Sequence, residues 1–298
     1  MKSDQMTGII WMITHCFLIS LMSVIIVHIS GAFHVFQIVF FHNAVAFLLL
    51  LPFVVTGGRY KKLNTKKIKL HVLRAVLGVV SMSMYFYAFT VIPLTQARAI
   101  ALTGPLVSSL FAVAFLKEKM GWHRTLALVV GFSGALVILR PGTDSFSYAS
   151  LMVVAAVLMW ATVDMTIKSL TKTESTTTQI FYLTGLMSLF SMPGAIWHWN
   201  EPETHAQTFW LIAIGVIFLV NVMAVFNAFK NADVTVIMPF DFSGMVFATI
   251  LAYLAFGEIV DDWTIVGSVI IMASSIYVAR REAAKFKEVQ AAPLRSEE

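Results

Sequence analysis

The sequence predicts an all-α integral membrane protein whose ten transmembrane helices form two inverted five-helix repeats. Three observations carry that prediction. Hydrophobic residues make up 58% of the 298 and charged ones only 12%, against roughly 25% charged in soluble domains. Ten apolar runs follow one another along the chain, each near the ~20 residues that a bilayer crossing requires. A shift of 140 residues, with no gap, aligns Ala88, Phe89, Thr95, Gly104, Ala112 and Glu118 with Ala228, Phe229, Thr235, Gly244, Ala252 and Glu258.

The runs lie near 7–29, 33–55, 70–92, 95–116, 121–139, 148–169, 176–197, 208–229, 234–256 and 263–279. The first is longer than a signal-peptide core and lacks a small-residue cleavage site, so it is expected to be kept. Several runs nearly abut, which suits antiparallel hairpins of helices packed in lipid, where every backbone polar group is satisfied within its own segment. The fourth carries Gly104 and Pro105, and the ninth carries Pro239 and Gly244. Broken backbone at membrane depth is tolerated where it lines a cavity; a kink with no ligand role is the alternative. The fifth run closes on Arg140, Pro141 and Gly142, and here the halves divide into repeats over 1–142 and 143–282, followed by a cytoplasmic tail over 283–298. An odd number of spans per half makes the second copy enter the membrane from the opposite side.

Orientation follows from the basic residues, because positively charged loops resist translocation. With both termini cytoplasmic, 19 of the 21 Lys and Arg fall on the inner side, including the stretch from Arg59 to Arg74. Only Arg98 and Arg140 remain. The prediction is therefore a multi-pass protein of the cytoplasmic (inner) membrane.

This composition excludes soluble enzymes, nucleic-acid binders and disulfide scaffolds, since Cys16 is the only cysteine. No HExxH, Walker loop, GxSxG or paired cysteines occur, so neither catalysis nor a cofactor or metal is expected. The outer loop with His198, Glu201, Glu203 and His205 matches no metal spacing and reads as solvated.

Charges within spans cost about 2.5–3.5 kcal/mol or more at a helix centre, and each needs a reason. Arg98 lies near the outer end of span four and Asp241 about two turns inside span nine; position 241 corresponds to 101 under the repeat, one turn from Arg98. Inverted halves interchange which face of a central site is open, so opposite charges on equivalent helices suit the two ends of a zwitterion. From the helical rise and core thickness, their depths differ by roughly 10–15 Å, too far for a salt bridge. Snorkelling to the headgroups is the alternative for Arg98.

Asp164 and Lys168 share a face of span six, as an ion pair or, should Asp164 face the cavity, as a proton carrier. His42 in span two is a second candidate for proton coupling, ahead of His15 and His28. Asn221, Trp160 and Phe242 complete the candidate substrate contacts. The rival class is a non-transporting membrane interaction or lipid-handling protein, in which no polar cavity joins these residues.

With these residues laid out, the chain resembles the EamA family of the drug/metabolite transporter superfamily over nearly its whole length. The first half carries an Ile92-Pro93-Leu94 turn, Pro105, Glu118 and a closing Arg140-Pro141-Gly142; the second carries Phe256-Gly257-Glu258, the family's most recognisable tripeptide. The runs FFHN, LRAVLG and MPFDF resemble the S-adenosylmethionine uptake type. The resemblance implies a central cavity between inverted halves and secondary transport of a small organic metabolite, S-adenosylmethionine-like, an amino acid or a similar zwitterion, with riboflavin or another metabolite or drug as the alternative. It implies a small-molecule substrate, the lipid bilayer and proton coupling as partners, no nucleic acid, and a monomer or homodimer. The chain departs from the family where relatives carry a basic residue at the positions of His28 and His42, and a Pro-Phe-Arg-Tyr run where this chain has Pro239, Phe240, Asp241 and Phe242.

Overall fold

A computed structural model describes residues 2–56, 63–104, 106–107, 110–111, 122–143, 146–170, 173–231 and 240–291. Among them are ten helices and no strands: α1 (Lys2–Ile29), α2 (Val35–Thr56), α3 (Ile68–Ala88), α4 (Leu94–Ala101), α5 (Trp122–Leu139), α6 (Tyr148–Leu170), α7 (Thr176–Trp197), α8 (His205–Asn231), α9 (Ser243–Phe256) and α10 (Asp262–Ala291). Five have stretches long and apolar enough to cross a membrane, in α1, α2, α3, α7 and α8, and shorter apolar stretches lie in α5, α6, α9 and α10. At 22 residues, α2 is about 33 Å long, matching a hydrocarbon core of about 30 Å.

Helix ends follow local chemistry. α3 stops at Ala88, short of the expected 92, because the backbone turns back through Thr90, Val91 and Ile92 ahead of Pro93, which restricts its predecessor. Ser175 caps α7, its hydroxyl accepting from the Thr178 N–H at 3.2 Å, the usual office of a serine before a helix. α9 ends on Gly257 at φ 66°, a left-handed turn that glycine adopts without steric cost. α10 continues through 283–291, the first part of the segment read as a tail.

Many of the helix pairs follow a two-fold pattern. α1 lies on α8 and α3 on α6; α2 lies on α8 and α3 on α7; α1 lies on α9 and α4 on α6. α2 pairs with α7, α4 with α9, and α5 with α10. Exchanging the first five helices for the last five leaves this set of pairs unchanged. α2 and α7 run antiparallel: Gln37 at the start of α2 meets Asn200 just beyond α7, while Thr65 after α2 meets Glu174 just before α7.

Small residues permit the close crossing of α5 and α10. A Cβ on Gly134 would sit 2.8 Å from the Gly267 carbonyl oxygen, and one on Gly267 would sit 2.6 Å from that of Gly134. One helical stretch away the Ser274 hydroxyl donates to the Ala127 carbonyl. This is the small-residue packing of helices in lipid. The surface is apolar, with Leu48 and Leu254 exposed, whereas Gln37, His42, Asn43 and Arg74 are buried, the reverse of a soluble domain.

Candidate functional site

The charged candidates meet where α1, α4 and α9 converge. α4 is held at its start by the second half: the Glu258 carboxylate accepts the backbone N–H of Leu94 at 3.0 Å and of Thr95 at 2.8 Å, and the Thr95 hydroxyl as well. Thr95 and Glu258 belong to the identities that revealed the repeat. Their partners under the shift, Thr235 and Glu118, lie outside the described residues. Glu258, marked by sequence as a repeat identity and as part of Phe256-Gly257-Glu258 but without a structural role, thus supplies the cap that Pro93 cannot.

One turn into α4, Arg98 points across to α9, where a Cβ on Gly244 would lie 2.8 Å from its Nη2 atom. Tyr85 of α3 stands beside the guanidinium, and Asp241 and Cys16 are its further charged and polar neighbours. The Cys16 thiol of α1 lies 3.7 Å from Asp241 Oδ1 and 3.5 Å from the Asp241 carbonyl oxygen. Ser20, one turn along α1, donates to the Gly244 carbonyl at 3.0 Å. His15 reaches Asn221 of α8 and lies within electrostatic range of Asp241 and Arg98.

Arg98 and Asp241 therefore share one neighbourhood, closer than the depth difference of roughly 10–15 Å that helical rise alone suggests. That reckoning omits the reach of the arginine side chain and the open position left by Gly244. The two still form no ion pair. Arg98 Nε is buried with no hydrogen-bond partner among the described residues, while the Tyr85 hydroxyl stands against Arg98, His15 against Asn221 and Ser243 against Cys16.

The helix breaks fall at equivalent places. α4 gives way to a turn at Leu102 and Thr103, where Thr103 N–H reaches back three residues to Ile100. Under the shift, position 102 corresponds to Phe242, where the backbone turns before α9 and Met245 N–H likewise reaches back three residues. Both are tightened turns rather than unwound chain. A Cβ on Gly104 would meet nothing within 4 Å among the described residues, while Gly244 is covered by Arg98. Pro105 and Pro239 lie outside the described residues, as do the side chains of Asp164 and Lys168.

His42 bonds to neither Arg98 nor Asp241. It is fully buried, with its ring 4.0 Å from Phe218 and 5.8 Å from Phe86, and Nε2 3.2 Å from the Met22 sulfur. Trp160 is half-buried against the main core and Phe242 is buried within it. Arg74, assigned by sequence to the inner loop charges, is 1% exposed and bonds Gln179 of α7. Tyr85 and Cys16 are the cluster members that the charge argument passed over; His15 was named there only for proton coupling. Neutral or aromatic residues in an apolar run carry no local mark of what faces them.

A groove of about 710 Å³ lies apart from this cluster along the last turns of α7, lined by Leu189, Met192, Pro193, Ile196 and Trp197. Its lining is apolar, as the lipid-facing side of a membrane helix requires.

Gly244 gives the cluster a direct test. Gly244→Ala is expected to push the guanidinium aside and weaken apparent substrate affinity several-fold, at the level of about 1 kcal/mol for a one-methyl overpacking. Uptake kinetics with unchanged KM would place the guanidinium elsewhere.

Comparison with known proteins shows what this architecture accompanies. The sequence pattern of the EamA-like transporter family matches residues 6–140 and again 147–280. A protein of Rickettsia conorii named S-adenosylmethionine uptake transporter is 32% identical over 93% of this chain and 94% of its own. The riboflavin transporter of Vibrio cholerae is 29% identical over 95% of this chain and 96% of its own. The pseudopaline exporter CntI of Pseudomonas aeruginosa is 28% identical over 92% and 96%. A solved crystal structure superposes with a TM-score of 0.62 over 94% of this chain and 99% of that one at 17% identity, a likeness of fold.

Proposed function

The chain belongs to the EamA-like transporter family, a membrane transporter and not an enzyme, and on that premise we propose that it carries a small zwitterionic metabolite by alternating access. The substrate class is S-adenosylmethionine-like, an amino acid or a similar molecule. The observation that carries this reading is the pairing of Arg98 and Asp241, both partly buried on repeat-equivalent stretches of the chain and not bonded to each other. A substrate carboxylate is received by Arg98 and its ammonium by Asp241. Tyr85, His15, Asn221 and Ser243, gathered around the two charges, supply further contacts. Trp160 and Phe242 close the apolar part, and Gly104 and Gly244, at equivalent turns of the two halves, line the cavity.

The halves are inverted repeats over 1–142 and 143–282. Support comes from the antiparallel course of α2 and α7, which are the second helices of their respective halves, and from the two-fold pattern of helix pairs. Both termini are cytoplasmic, as the basic residues favour, so the end bearing Asn200 and Glu258 faces outward. Asp241, Asp164 and His42 are the groups available for proton coupling, and the carrier acts as a monomer or homodimer. Relatives include both uptake proteins and an exporter, so direction is a property of the driving gradient applied to this chain.

Riboflavin is the second reading, favoured by the Vibrio cholerae relative. Uptake of radiolabelled S-adenosylmethionine, riboflavin and an amino-acid panel into proteoliposomes, with and without an imposed pH gradient, separates these. Saturable uptake of a zwitterion is expected. Uptake of riboflavin alone overturns the zwitterion reading, uptake of nothing favours the non-transporting class, and an initial rate indifferent to the gradient removes proton coupling.

A further inference from the structure

The two ends of the molecule are fastened by loop junctions at equivalent positions of the repeat, built from different chemistry. At one end the α1–α2 loop meets the α7–α8 loop. His34 stacks on His198 with ring centroids 3.9 Å apart and planes 15° apart. Beside the stack Gln37 donates to the Asn200 carbonyl at 2.8 Å and accepts from its N–H at 3.0 Å, and the Asn200 side chain donates to Ala32. At the other end the α6–α7 loop meets the chain between α2 and α3. Glu174 accepts from the Thr65 hydroxyl and from His71 Nε2 at 2.6 Å. The Tyr182 ring covers His71, and its hydroxyl donates to the Leu63 carbonyl. Under the 140-residue shift His34 corresponds to Glu174, so one position of the repeat carries an imidazole at one end and a carboxylate at the other.

These junctions respond to protons in opposite ways. Two imidazoles stacked in contact repel once both are charged, and protonation also removes Nδ1 of His34 as acceptor for the Phe36 N–H. Burial and the neighbouring His198 hold His34 below the ordinary histidine range. A histidine depressed in the closed junction stabilises it above the ordinary histidine pKa and loses that stabilisation as pH falls. Neither ring has an ion pair among the described residues, and Glu201 and Glu203 of the same loop are exposed without bonding either ring. At the other end His71 faces Glu174, Arg74 and Tyr182. A carboxylate that accepts from an imidazole N–H forms a charge-assisted bond that gains when the imidazole is protonated.

We propose that these junctions are the latches of the two gates, and that the His34–His198 stack makes the outer latch open in external acid while the Glu174 latch holds the inner gate. This rests on the alternating-access reading above. External acid then favours the outward-open state, which gives an imposed proton gradient a structural point of entry.

Cys16 is the one cysteine and lies beside Asp241, so its conversion to a mixed disulfide by a methanethiosulfonate, which releases methanesulfinate, reports access to the centre. The full chain is reconstituted in vesicles of known orientation and treated from outside with a quaternary-ammonium methanethiosulfonate. At about pH 7.5 the double variant His34→Lys, His198→Lys is expected to label roughly fivefold faster than His34→Asn, His198→Asn, the effect of two unit charges about 4 Å apart in water. At about pH 5.5 the wild type is expected to outpace the double Asn variant, a ratio in which thiol ionisation cancels. Glu174→Gln is expected to raise labelling from the inner side and lower it from outside. Equal rates in the Lys and Asn variants, with Cys16 labelled from outside, overturn the latch and leave the carrier reading standing. A Cys16 that reacts only after denaturation, in every variant and from both sides, overturns the carrier reading and the latch with it.

Discussion

Uptake by the Asp241→Asn protein is expected to fall by roughly 30-fold or more in kcat/KM, and by a similar factor in Arg98→Gln. Removing one member of a buried charged contact costs about 2–5 kcal/mol, and each 1.4 kcal/mol is about tenfold. Both side chains lie where α1, α4 and α9 meet, Arg98 against Gly244 and Asp241 against Cys16. A double variant should lose less than the product of the single effects, because the two groups share neighbours and one substrate. The measurement is initial rate against concentration in proteoliposomes at matched protein content. If both single variants keep wild-type rate and affinity, these residues do not hold the substrate.

Glu258→Ala is expected to loosen α4 and lower stability by about 1–3 kcal/mol, the cost of leaving buried backbone donors unsatisfied. Three bonds converge on this carboxylate, from Leu94 N–H, Thr95 N–H and the Thr95 hydroxyl, and negative charge at a helix N-terminus adds to them. Glu258→Gln keeps an acceptor oxygen but not the charge, so its loss should be smaller. Thermal unfolding in detergent, followed by tryptophan fluorescence, orders the three proteins as wild type, then Gln, then Ala. An Ala variant that unfolds at the wild-type temperature contradicts the cap. Transport should fall with stability in the Ala variant, since Arg98 sits one turn beyond the capped residues.

Much of the helical layout was legible in the linear chain because lipid imposes a one-dimensional rule. A segment must be apolar and about 20 residues long to satisfy its own backbone while crossing. The seventh run, 176–197, coincides with α7 as observed, and Ser175 and Gly257 mark helix ends through local capping chemistry alone. The third run did not stop where hydropathy suggested, because Pro93, the residue directly after the apolar run, turns the backbone earlier than composition does. The candidate charges were equally visible, since an ionisable residue in an apolar run stands out at any position.

Other features depended on residues remote in the chain. Arg74 counts as one more basic residue near a loop until α7 is seen to fold over it and bond it through Gln179. His42 stood behind Asp241 as a candidate by sequence, and the structure encloses it between Phe218 and Phe86, neighbours that the linear chain does not reveal. Cys16 and Tyr85 join Arg98 only because α1, α3, α4 and α9 converge.

The sequence by itself determined that this is a multi-pass helical transporter of a recognisable family, through the length and apolarity of its segments and the repeat within it. Only the tertiary structure decided which polar residues share a neighbourhood, that Glu258 caps a helix of the other half, and that His34 and Glu174 occupy matched junctions at opposite ends. The physical reason is that hydropathy and capping act over one segment or one turn, whereas a polar site is made by side chains far apart in sequence, whose meeting depends on how helices cross.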